Sequence, residues 1–143
     1  MYLFECLQPS HGNQKETLNS LLTKYNFSLG NTSTGAGIMA VHSSFIIKTK
    51  EGLAFDLSEF PNNCSTIIAG QVEQLFGGAY IDTLKEIINF TIELAKAFSY
   101  GAVIITATNT EFVTWLKEEY LFEVMYELKN PHSGKLNYFL IKN

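Results

Sequence analysis

Gln71-Val72-Glu73-Gln74-Leu75-Phe76-Gly77-Gly78-Ala79-Tyr80-Ile81-Asp82-Thr83-Leu84 is the stretch on which the reading of the fold turns. Upstream of it, Thr66 to Leu75 is β-prone and reads as a strand. Downstream, Leu84, Ile87, Ile88, Thr91, Leu94, Ala95 and Phe98 recur at three and four residues, the spacing of one buried helix face. Asp82 or Thr83 is placed to cap that helix, and Gly101 to close it. Between them lies the Gly77-Gly78 pair. A chain passing from strand through glycines into a long helix aims backbone N–H groups and a positive helix end at one point. Two readings stand for the pair: a plain tight turn, or a cradle for a phosphate group.

Beyond the helix, Ala102 to Ala107 (AVIITA) is a short apolar run of the kind found in buried strands. Asn109 or Thr110 starts a second helix, with Phe112, Trp115 and Leu116 inward. Phe122 to Leu128 and Leu136 to Ile141 form a closing hairpin around Asn130-Pro131-His132-Ser133-Gly134. On the N-terminal side, Tyr2 to Leu7 reads as a strand and Gln14 to Tyr25 as a helix with Leu18, Leu21, Leu22 and Tyr25 on one face. Asn26 to Gly35 is polar and reads as a loop. Gly37 to Lys48 and Leu53 to Leu57 are strands joined at Lys50-Glu51-Gly52. The expected fold is one α/β (α+β) domain over residues 1–143, with a mixed, mostly antiparallel sheet and helices on both faces.

Composition bounds the function. The net charge is −4 and all ten basic residues are lysine, which argues against a nucleic-acid surface. Without arginine, an anion site must rely on backbone N–H groups or lysine. Cys6 and Cys64 suggest no disulfide framework, and both are taken as reduced. His11, His42 and His132 lack metal-ligand spacing, so no metal is expected. No apolar run is long enough to span a membrane, and nothing at Met1–Glu5 reads as a signal peptide. A cytoplasmic, soluble protein is the expectation.

The element order resembles the GNAT acetyltransferase superfamily. That family's cofactor motif is Gln or Arg, two residues, Gly, one residue, then Gly or Ala; here it is Gln74-Leu75-Phe76-Gly77-Gly78-Ala79. The resemblance implies that Val72, Gln74, Gly77, Gly78, Ala79 and Asn109 hold acetyl-coenzyme A, if the protein is catalytic. The cofactor would lie between the strands ending near Val72 and near Asn109. Glu73 and Glu59 are candidates for the general base. Tyr120 is a candidate proton donor to the departing thiolate. Lys117 stands, by ungapped counting, where many family members carry a tyrosine for that step. Leu121 stands where the family usually has glycine. Leu84 follows Ala79 by five residues where three is usual.

Within the superfamily, Gln71-Val72, Asn109-Thr110, Leu116-Lys117 and the closing hairpin resemble small internal virion proteins of podoviruses. That implies a bacteriophage-derived structural or assembly protein of the virion or host cytoplasm, with virion or host proteins as partners and transferase activity unproven or lost. An active N-acetyltransferase using acetyl-coenzyme A on an amine is the alternative. A host-directed inhibitor or interaction module is a third.

Overall fold

The computed structural model describes residues 12–34, 43–59, 66–70 and 72–143. Its elements are α1 (Gly12–Tyr25), β1 (Ser28–Thr34), β2 (Ser43–Lys48), β3 (Ala54–Glu59), β4 (Thr66–Gly70), a 3-10 turn (Glu73–Leu75), α2 (Ile81–Ala97), β5 (Ala102–Ala107), α3 (Thr110–Tyr120), β6 (Glu123–Lys129) and β7 (Leu136–Lys142). The expected strand at Tyr2–Leu7, the start of the strand expected from Gly37, both cysteines, His11, His42 and Gln71 lie outside the described residues.

The strands form one sheet in the order β1-β2-β3-β4-β5-β7-β6. All neighbours are antiparallel except β4 and β5. That parallel pair requires a crossover, and α2 supplies it. The last strand, β7, inserts between β5 and β6. The fold class is therefore the expected mixed α/β arrangement with a mostly antiparallel sheet.

Three local expectations are corrected. Ser28–Thr34 is a strand, not a loop: it is laddered to β2 with a register shift between Leu29 and Thr32. Backbone pairing outweighs the weak β propensity of Ser, Gly and Asn at a sheet edge. Gly30 fits there because a Cβ would meet the Ile46 carbonyl oxygen at 2.9 Å. Second, the strand expected over Thr66–Leu75 stops at Gly70 and gives way to the 3-10 turn.

Third, α2 is bounded differently. Its first helical bond runs from the Leu84 amide to the Tyr80 carbonyl, at 2.9 Å. Asp82 and Thr83 are therefore already inside the helix, and no side chain caps it. At the other end Ser99, not Gly101, takes the left-handed conformation, with φ 56°. The Tyr100 amide then reaches back to the Ala95 carbonyl and the Ser99 amide to that of Lys96, closing a Schellman-type cap.

The core gathers Leu18 and Leu22 of α1, Phe45, Ile47, Phe55 and Leu57 of β2 and β3, the apolar face of α2, and Phe112, Val113 and Leu116 of α3. Phe90 sits among three rings, meeting Tyr25, Phe27 and Phe55 edge-on at 5.2 to 6.2 Å between centroids. The Tyr25 hydroxyl donates to Glu93 of α2, and Lys24 pairs with the same carboxylate at 2.6 Å. The α1–α2 contact thus has an aromatic floor and a charged rim.

Candidate functional site

The site is set by where β4 and β5 part. They pair from Thr66↔Ala102 to Ala69↔Ile105. β4 then ends at Gly70, while β5 continues through Thr106 and Ala107 beside β7 alone. The C-terminal ends of adjacent parallel strands are the usual ligand position in α/β sheets.

The segment after β4 reaches across to the end of β5. Its 3-10 turn is closed by the Leu75 amide on the Val72 carbonyl and the Phe76 amide on the Glu73 carbonyl, at 3.0 and 2.9 Å. Val72 is buried in the core. Glu73 reaches the end of β5. Its carboxylate accepts from the Thr108 amide at 2.8 Å, the Thr108 hydroxyl at 2.7 Å and the Asn109 amide at 3.1 Å. Burial alone would raise its pKa, but these bonds from the Thr108 side chain, the Thr108 amide and the Asn109 amide outweigh it and hold the carboxyl below its ordinary value. A general base needs free lone pairs and a pKa near neutrality. Here three of the carboxylate's roughly four lone-pair positions are occupied, and the shift runs the other way.

Asn109 is the cap of α3: its Oδ1 accepts from the Glu111 and Phe112 amides at 2.8 and 3.2 Å. Between them, the cap and Glu73 accept from the Thr108, Asn109, Glu111 and Phe112 amides. Gln74 is exposed on the 3-10 turn.

Gly77, Gly78, Ala79 and Tyr80 are all exposed and lead into α2. Gly77 has φ +78°, and a Cβ there would meet nothing within 4 Å. The glycine is thus required by backbone conformation, with open space above it. No side chain caps the first turn of α2. Two acidic groups stand beside it. Asp82 lies in that first turn, and Glu51 accepts from the Thr83 hydroxyl at 3.2 Å. Both complement the helix dipole themselves, and both oppose an incoming anion.

Phe76 ties the glycine segment to α3. Its ring lies 5.4 Å from both Phe112 and Trp115, and Trp115 meets Tyr120 edge-on at 5.4 Å. Burial first, then the Glu119 carboxylate, holds the Tyr120 phenol above the ordinary tyrosine value. Lys117 is exposed in the last turn of α3. Glu59 closes β3, and its side chain lies outside the described residues. Among the described residues no group of acidic, histidine or cysteine side chains could hold a metal ion, and no helix is long and apolar enough to cross a membrane.

The structure brings Glu73 and Asn109 together at one junction and links Tyr120 to the glycine segment through Trp115 and Phe76. The role of Thr108 was missed. A threonine after a buried strand carries no motif, and its partner lies 35 residues away in sequence.

No protein-family model and no curated protein matches the sequence. Solved structures do match. A GNAT family acetyltransferase from Elizabethkingia anophelis with acetyl-CoA bound superposes with TM-score 0.52 at 14% identity, over 82% of this chain and 98% of that one. The N-terminal domain of a ribosomal-protein-alanine acetyltransferase from Clostridium acetobutylicum gives 0.48 at 14%, over 81% and 95%. A putative acetyltransferase from Agrobacterium tumefaciens gives 0.47 at 13%, over 93% and 89%. With the strand order, the first of these likenesses establishes a GNAT-like fold.

Proposed function

We propose that this chain uses the GNAT-like fold as a non-catalytic scaffold within a larger assembly. The observation that carries this reading is the Glu73 carboxylate, bonded to Thr108 and Asn109 just beyond β5. It occupies two backbone amides at the C-terminal end of β5 and brings negative charge there. Asp82 and Glu51 at the start of α2 add to that charge. No arginine exists anywhere in the chain to offset it. Anion binding at such a site loses much of what a bare helix end offers. The assembly is proposed to be a bacteriophage virion. That part rests on the Gln71-Val72, Asn109-Thr110 and Leu116-Lys117 pairs and the closing hairpin alone.

Calorimetric titration of acetyl-coenzyme A into the chain tests the reading. No binding is expected at ligand concentrations up to about 100 μM, that is, an affinity weaker than about −5.5 kcal/mol. Micromolar affinity would sink it. Peptide mass spectrometry of purified particles tests the virion assignment, which fails if the chain is absent from particles and from their assembly intermediates.

The second reading is an acetyl-coenzyme A-dependent N-acyltransferase. It is favoured by the open space over Gly77 and by the acetyl-CoA carried by the Elizabethkingia structure. Tyr120 would protonate the thiolate. Under this reading Gly77→Glu abolishes cofactor binding by putting charge against the pyrophosphate, and unchanged affinity in that variant refutes it.

A further inference from the structure

The outer edge of β6 carries Glu127 and Lys129 on either side of Leu128. β6 ends the sheet, with β7 as its only partner among the described strands. The Asn130 amide donates to the Lys135 carbonyl at 2.8 Å, and the ladder continues Lys129↔Leu136, Leu128↔Asn137, Glu127↔Tyr138. In an antiparallel ladder, residues whose backbone groups face the partner alternate with residues whose groups face away. Asn130 and Leu128 therefore turn theirs to β7, while Glu127 and Lys129 present theirs to solvent. The side chains of Glu127, Leu128 and Lys129 are exposed as well, and Leu128 is a large apolar residue at 52% exposure. Tyr126, also exposed, stacks on Phe139 at 4.5 Å and extends the apolar surface on the Leu128 side of the sheet.

We infer that β6 pairs antiparallel with β6 of a second chain about a two-fold axis through Leu128. This register sets Glu127 opposite Lys129 of the partner subunit, and Lys129 opposite the partner's Glu127. These are also the two residues with outward N–H and C=O groups, so each pair exchanges both backbone bonds. Leu128 meets its own copy. An isologous contact needs this self-complementarity, with each residue's partner reciprocated. Neighbouring registers fail on charge: an axis through Glu127 opposes two carboxylates, and one through Lys129 opposes two ammonium groups. Opposite charges in directly facing strand positions stabilise pairing, and like charges disfavour it. The ladder irregularity at Met125 limits the regular stretch to residues 126–130, so the dimer is weak and concentration-dependent.

Sedimentation equilibrium of the whole chain between about 10 μM and 1 mM tests this. The weight-average mass is expected to climb from one chain toward two. Glu127→Lys and Lys129→Glu are each expected to stay monomeric. Their equimolar mixture is expected to dimerise, because every facing pair is again opposite in charge, and the double variant likewise. A wild-type chain that stays monomeric throughout overturns the inference. So does a single variant that associates as the wild type does, or a mixture of folded variants, checked by circular dichroism, that remains monomeric.

Discussion

Glu73 and Thr108 are joined twice: the carboxylate accepts from the Thr108 amide at 2.8 Å and from its hydroxyl at 2.7 Å. These two hydrogen bonds, between residues 35 positions apart, fix the 3-10 turn against the start of α3.

Replacing Glu73 by Gln is expected to lower stability by about 1 kcal/mol, since bonds to an ionised acceptor at a partly exposed site are only modestly stronger than neutral ones. The effect depends on pH. The folded-state pKa lies below the ordinary 4.5. Its contribution is therefore complete above that value and is lost as pH falls through the lower, folded one. Urea denaturation of both proteins from pH 7 to pH 3 should show the gap narrowing only below about pH 4.5. A gap that stays constant across that range would contradict the bonding described.

Leu121→Gly is expected to stabilise the protein. Leu121 ends α3 in the left-handed conformation with φ 61° and is 73% exposed, so glycine removes steric cost and sacrifices little burial. Left-handed backbone costs a branched residue about 1–2 kcal/mol, and the greater freedom of glycine when unfolded returns part of that. A net gain of about 0.5–1 kcal/mol, or roughly 2–3 °C in Tm, is expected by calorimetry. A lower Tm would show that the Leu121 side chain makes contacts that matter.

Phe90→Ala should be far more damaging, at about 3–5 kcal/mol by urea unfolding. Its ring is fully buried and shared by Tyr25, Phe27 and Phe55, so three edge-on contacts are lost together.

The tyrosine absorbance titration should carry a late component. Burial first, then the hydrogen bond to Glu93, raises the Tyr25 phenol well above its ordinary 10.0. A raised folded pKa stabilises the protein fully below pH 10.0, and that share is lost as pH rises through the folded value. Tyr25→Phe should remove the late component and weaken the dependence of stability on pH above 10. An unchanged titration curve would mean that Tyr25 ionises with the rest.

Much of the C-terminal half was legible because its signals are local. The three-and-four spacing of α2 requires only neighbours along one helix. The run Ala102–Ala107 carries its burial in its own composition, and Asn109 caps the two amides that follow it. The Leu121 position is a telling case: the expected glycine is absent, yet the left-handed turn that glycine would favour is there.

Periodicity and turn residues thus sufficed to find α2, β5, α3 and the closing hairpin, and Asn109 to start α3, while the ends of α2 were set by the backbone at Tyr80 and Ser99. Only the folded chain decided that polar Ser28–Thr34 is a strand, that β4 stops at Gly70, and that β7 slots between β5 and β6. It alone decided that Glu73 is spent on Thr108 and Asn109. Those outcomes depend on which distant backbone groups come within hydrogen-bonding reach, and a sequence holds that information only through the packing of the whole.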